Sequence, residues 1–203
     1  MCVFFQRSFY LIVALSLLSC TSAAQLPRLS PHAVILAFGD SLTYGTGVTA
    51  DQSYPAVLAR LSAHRVINAG IAGETSGSGL ARLPALLDET QPELLILCHA
   101  GNDILRSMPL AQAEMNLRKM VALAEQRGIA VMIVAVPKFS IILSAADFYA
   151  VIARDMHIPI EADILSSILA DRTLKSDQIH PNVQGYRLMA EAVFHLMQQA
   201  GAL

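Results

Sequence analysis

Apolar runs recur along this 203-residue chain at Val34 to Phe38, Val66 to Ile67, Leu94 to Cys98 and Ile129 to Val136, with segments of helical character between them. A strand that is apolar at every position is buried on both faces, which is the situation of strands in a parallel sheet covered by helices. The segment before the fourth run carries Leu117, Met120, Val121 and Ala124 at i, i+3, i+4, i+7 spacing. Gly128 stands where that helix must stop. Repetition of this strand-helix-strand unit predicts a parallel sheet with helices on both faces. A short fifth strand at Ile158 to Ile160 would lie at an edge, because Pro159 has no amide to donate. The last helix is capped by Asn182, buries Tyr186, Met189, Val193, Leu196 and Met197 as one stripe and ends at Gly201.

Composition narrows the function. Fourteen Lys and Arg against sixteen Asp and Glu give a formal charge of -2, which supplies no field for a phosphate backbone and excludes nucleic acid as a partner. With 54% hydrophobic and 15% charged residues, the chain is a compact single domain rather than a disordered one. Part of the apolar excess is local. Arg7 precedes the run Phe9 to Leu18, too short to span a bilayer, which reads as an export leader covering residues 1–24. Cleavage after Ala24 leaves residues 25–203 as the folded domain. The alternative, Leu17-Leu18-Ser19-Cys20, resembles a lipobox, with a leader ending at residue 19 and Cys20 lipidated as a membrane tether. The expected location is the periplasm or the medium, free or lipid-anchored. Thr21 to Pro31 reads as a tether. Cys98, within an apolar run, reads as a buried inert thiol, and no Cys or His pair has zinc spacing.

In an open parallel sheet ligands bind beyond the carboxyl ends of the strands. The loops there contain Gly39-Asp40-Ser41-Leu42, Asn68-Ala69-Gly70-Ile71-Ala72-Gly73-Glu74-Thr75, Gly101-Asn102-Asp103 and, before the last helix, Asp177-Gln178-Ile179-His180-Pro181. A serine hydroxyl becomes nucleophilic when a base takes its proton, and that base works best when a third group fixes its tautomer. Ser41, His180 and Asp177 suit these roles. Their three-residue spacing puts Asp177 and His180 on one side of a helical turn. The amides of Ser41 and Gly73 and the side chain of Asn102 are candidate oxyanion donors. Asp40 and Asp103 read as supports for loop geometry, and His99 as the one further histidine near this edge.

In these four blocks, taken in order, the chain resembles the GDSL, or SGNH, family of serine esterases and lipases. Within it, the chain is most similar to the small periplasmic branch of acyl-CoA thioesterases, lysophospholipases and arylesterases. The resemblance implies a flavodoxin-like three-layer α/β/α sandwich with a five-stranded parallel sheet. It implies hydrolysis of a small acyl ester or thioester through an acyl-enzyme, with neither metal nor organic cofactor. A carbohydrate O-acyl esterase, an acyltransferase or a silent binding protein on the same scaffold are the alternatives. The segment after the fourth strand departs from the branch. There Phe139, Ile141, Ile142 and Leu143 read either as the wall of an acyl groove or as loop packing. Gly45-Thr46-Gly47-Val48-Thr49-Ala50 matches a dinucleotide pattern, but six residues separate it from the first strand. Oligomeric state leaves no sequence signal.

Overall fold

The computed structural model describes residues 24–138 and 143–203. The leader reading, with Cys2 and Cys20, falls on residues outside this range apart from Ala24, as do Phe139, Ile141 and Ile142. Strands β1 (Val34–Gly39), β2 (Arg65–Gly70), β3 (Leu94–Cys98), β4 (Ala130–Val134) and a two-residue β7 (Ile160–Glu161) form one parallel sheet in the order β2-β1-β3-β4-β7. The expected edge strand is thus β7, displaced toward Glu161. Between β4 and β7, β5 (Pro137–Lys138) pairs antiparallel with β6 (Ser144–Ala145), a hairpin where the sequence suggested only loop.

Helices α2 (Tyr54–Ser62) and α3 (Ser76–Thr90) connect β1 to β2 and β2 to β3; α4 (Gly101–Leu105) and α5 (Leu110–Glu125) lead from β3 to β4. After β6 come α6 (Asp147–Met156), α7 (Ile164–Ala170) and α8 (Val183–Gln199), and α1 (Ser41–Tyr44) is a single turn directly after β1. The chain moves outward from β1 to β2, then back across β1 to β3. Right-handed crossovers therefore place α2 on one face and α3 and α5 on the other. The helix contacts agree: α2 packs on α8, and α3 packs on α5. The result is a three-layer α/β/α sandwich. Reversal of direction between β1 and β3 creates a crevice at their carboxyl ends.

The middle strands bury every residue of Leu94–Cys98 and all but the first of β1 and β4. Each such Leu or Ile contributes about 1.5–3 kcal/mol relative to exposure. Cys98 is buried and free, and burial pushes its thiol far above the ordinary range. The helix ends follow the sequence. Asn182 Oδ1 accepts from the amides of Gln184 and Gly185, both at 3.1 Å, and Gly128 takes a left-handed φ of 72° beyond α5. On the stripe of α8, Leu196 is only partly buried, whereas Tyr186, Met189, Val193 and Met197 are fully enclosed.

The described part of the expected tether behaves differently from a tether. Leu26 and Leu29 donate main-chain bonds to Ala200 and Ala202 at 2.8 and 2.9 Å, and their side chains are buried. This segment closes over the end of α8. Among the described residues, no helix is long and apolar enough to cross a membrane.

Candidate active site

Ser41 and Asn102 are placed by the ends of β1 and β3. Gly39 ends β1, and a Cβ there would lie 2.0 Å from the Cys98 carbonyl, so only glycine lets the ends of β1 and β3 approach this closely. Asp40 then caps α1. One carboxylate oxygen accepts from Leu42 N at 3.1 Å and the other from Gly101 N at 3.1 Å, binding the loop after β1 to the loop after β3. Burial raises its carboxyl pKa above the usual range. Ser41 opens α1, so its amide has no partner within the helix.

The histidine arrives from the other side of the crevice. Asp177 Oδ1 accepts the amides of Ile179 and His180, both at 2.8 Å. This is an Asx-type turn rather than the expected helical one, and it folds the His180 ring back onto its own carboxylate. Nδ1 of His180 donates to Asp177 Oδ2 at 2.7 Å, and Nε2 accepts from Ser41 Oγ at 2.9 Å. Burial pushes the Asp177 carboxyl up, but the bonds from the His180 ring and the two amides outweigh it and leave the carboxyl below its ordinary range. Gly47 has a φ of 94°, and a Cβ there would meet Ser176 Oγ at 2.2 Å. The Gly45–Ala50 motif thus follows the first helical turn and packs the histidine loop, a placement unlike that of a dinucleotide loop.

Asn102 lies in the first turn of α4, after an Ala100 held at φ 79°. Its Nδ2 donates to the Glu74 carbonyl at 3.0 Å. One amide hydrogen is spent in fixing the plane of the group, and the second is free to face the crevice. Gly73, at φ 78°, precedes that carbonyl, and its own oxygen accepts from Arg106 Nη2 at 2.9 Å. Ser41, His180 and Asn102 line a cleft whose apolar walls are Leu42, Leu105, Val136, Leu169 and Ile179. Leu143, the described member of the expected groove, is half-buried against the core and is not one of these wall residues. Among the described residues no three His, Cys, Asp or Glu side chains are grouped to hold a metal ion.

One cluster was missed in the sequence. Behind Asn102, Glu74 is bound by Arg82 through Nε and Nη2, both at 2.7 Å, and by Nε2 of the fully buried His99 at 3.1 Å. The available signals were Glu74 inside the second block and His99 at the end of β3. Burial pushes the Glu74 carboxyl up, but the His99 and Arg82 bonds and charges prevail and hold it at about 2, against 4.5 for an unperturbed glutamate. A carboxyl lowered on folding adds stability that is present above pH 4.5 and lost as the pH falls toward 2. In thermal melts, the Tm advantage of wild type over Glu74→Gln is expected to shrink across that window; a constant difference would contradict it.

The GDSL-like lipase/acylhydrolase family model matches residues 37–188, which contain all four blocks. The chain belongs to this family. Esterase TesA of Pseudomonas aeruginosa is 38% identical over 128 residues, which are 61% of this chain and 64% of that protein. The arylesterase of Vibrio mimicus is 31% identical over 193 residues, 90% of this chain and 94% of that protein. A crystal structure of TesA superposes with a TM-score of 0.75 at 29% identity, covering 82% of this chain and 99% of the other. The sandwich is thus the SGNH-hydrolase fold, and this GDSL-family member is an ester-hydrolysing serine hydrolase with a small-molecule ester as substrate.

Proposed function

We propose that Ser41, His180 and Asp177 form the catalytic triad and that the substrate is a carboxylic ester or thioester with an apolar acyl group. The observation that carries this is the unbroken hydrogen-bonded line from Asp177 through His180 to Ser41, opening on an apolar cleft. Ser41 Oγ attacks the acyl carbonyl and passes its proton to His180 Nε2, while Asp177 holds Nδ1–H and stabilises the imidazolium. The amides of Ser41 and Gly73 and the Asn102 side chain receive the oxyanion. The adduct collapses as Nε2 returns the proton to the leaving alcohol or thiol. Water, deprotonated by the same nitrogen, then releases the acid and restores Ser41. No metal or cofactor enters these steps.

The acyl chain lies between Leu42, Leu105, Val136, Leu169 and Ile179. Leu105, in the wall of the cleft, is itself exposed, which supports an apolar substrate. Lysophospholipids and acyl thioesters fit the same chemistry. The apolar run after Arg7 supports export of the domain, with Cys20 as the point of lipid attachment if the lipobox is used. A series of p-nitrophenyl esters from acetate to octanoate tests the reading. Within the length that the cleft holds, kcat/KM is expected to rise by up to about fourfold per methylene, corresponding to about 0.8 kcal/mol of transfer free energy. Absence of ester turnover would overturn the reading, and a preference for acetate over all longer chains would remove the apolar cleft from it.

A further inference from the structure

We propose that Glu74, Arg82 and His99 are positioning residues for the oxyanion-binding groups, with the buried His99 imidazole joining the two loops that carry Gly73 and Asn102. The inference rests on the oxyanion assignment above and extends it to residues that never touch substrate.

His99 is fully buried. Its Nδ1 accepts the Ala100 amide at 2.8 Å, so the ring proton facing Glu74 is on Nε2, and that nitrogen donates to the carboxylate at 3.1 Å. One ring therefore holds the loop after β3 with one nitrogen and the loop after β2 with the other. The Ala100 bond supports a left-handed alanine, at φ 79°, a strained conformation that persists only when its surroundings enforce it. Ala100 immediately precedes Gly101 and Asn102, so its backbone angle sets where the Asn102 side chain emerges. Tyr149 OH donates to the His99 carbonyl at 2.6 Å and fixes the same loop from α6.

The second arm runs through Glu74. Three donors on its carboxylate restrain the residue, and its carbonyl is the group that orients Asn102 Nδ2. Arg82, two turns into α3, also donates to the Ala69 carbonyl at 2.8 Å and lies over the Phe38 ring at 4.1 Å, anchoring the carboxylate to the sheet. The site is built for this ring: a Cβ on Gly79 would fall 2.3 Å from His99 Nε2. An oxyanion hole stabilises charge through donors fixed before the reaction, so small displacements of Asn102 or Gly73 raise the barrier without loosening ground-state binding.

The test is a double-mutant cycle on p-nitrophenyl butyrate hydrolysis with Glu74→Gln and Asn102→Ala. A glutamine cannot accept from all three donors without turning its NH₂ toward one of them. Glu74→Gln is expected to lower kcat by roughly 10- to 100-fold with KM within about twofold, at or below the roughly 10²-fold lower end for outright loss of one oxyanion donor, because the donor is displaced rather than removed. In the Asn102→Ala background, the same change is expected to cost less than about threefold, because the side chain that the Glu74 carbonyl orients is already gone and only the smaller effect through the neighbouring Gly73 remains. Fully additive losses, or an unchanged kcat in Glu74→Gln while Asn102→Ala is impaired, would overturn the proposal and leave the oxyanion reading standing. A wild-type kcat in Asn102→Ala would overturn both. If Glu74→Gln does not fold, Arg82→Lys replaces it in the cycle: its side chain is 26% exposed, and it retains the charge but not the two-pronged bond.

Discussion

Replacement of Ser41 by alanine is expected to lower ester hydrolysis by roughly 10⁶-fold, on the scale seen when the nucleophile of an interdependent triad is removed. The fold should be unaffected. Ser41 contributes no side-chain cap to α1, a role filled by Asp40, and among the described residues its hydroxyl bonds to His180 Nε2 alone. Any decrease in Tm should therefore be slight. Retention of more than about one part in a thousand of wild-type turnover would remove the hydroxyl from the role of nucleophile.

Asp177→Asn is the second large effect, and its reason is local geometry. The carboxylate has two duties on separate oxygens: Oδ1 holds the Ile179 and His180 amides, and Oδ2 accepts from the His180 ring. An asparagine keeps the first by presenting its single oxygen to the amides. Its NH₂ then faces Nδ1, forcing that nitrogen to accept and moving the ring proton to Nε2, where it blocks transfer from Ser41. We expect kcat to fall by roughly 10⁴-fold with Tm close to wild type. Asp177→Ala should match that loss in activity and also lose stability, because the turn loses its acceptor. Activity above a tenth of wild type in Asp177→Asn would contradict the tautomer argument.

How much of this was readable in advance depended on where the information sits. β1 and β3 were legible because continuous burial makes them continuously apolar. The full length of β2 was not, since it is an edge strand whose Arg65, Asn68 and Gly70 carry no apolar signal. Thr21 to Pro31 reads as a tether because the docking of its described part depends on main-chain bonds from Leu26 and Leu29 to Ala200 and Ala202, which no side-chain pattern announces. The triad candidates were legible because their chemistry is concentrated in short blocks. The cleft was not: Leu42, Leu105, Val136, Leu169 and Ile179 come from five places in the chain and each looks like an ordinary core residue. The Glu74, Arg82 and His99 cluster was hidden for a related reason. Eight residues separate Glu74 from Arg82 and twenty-five separate Glu74 from His99, and in sequence a buried ion pair looks like solvated surface charge.

Covalent trapping addresses the central assignment most directly. The protein is titrated with a serine-directed phosphonate, residual p-nitrophenyl ester hydrolysis is followed, and the modified peptide is mapped by mass spectrometry. The triad assignment predicts one adduct per chain, located on Ser41, with activity lost in proportion to its formation and no labelling of Ser41→Ala. An adduct on another residue that tracks the loss of activity, or hydrolysis that persists once Ser41 is fully modified, would contradict it.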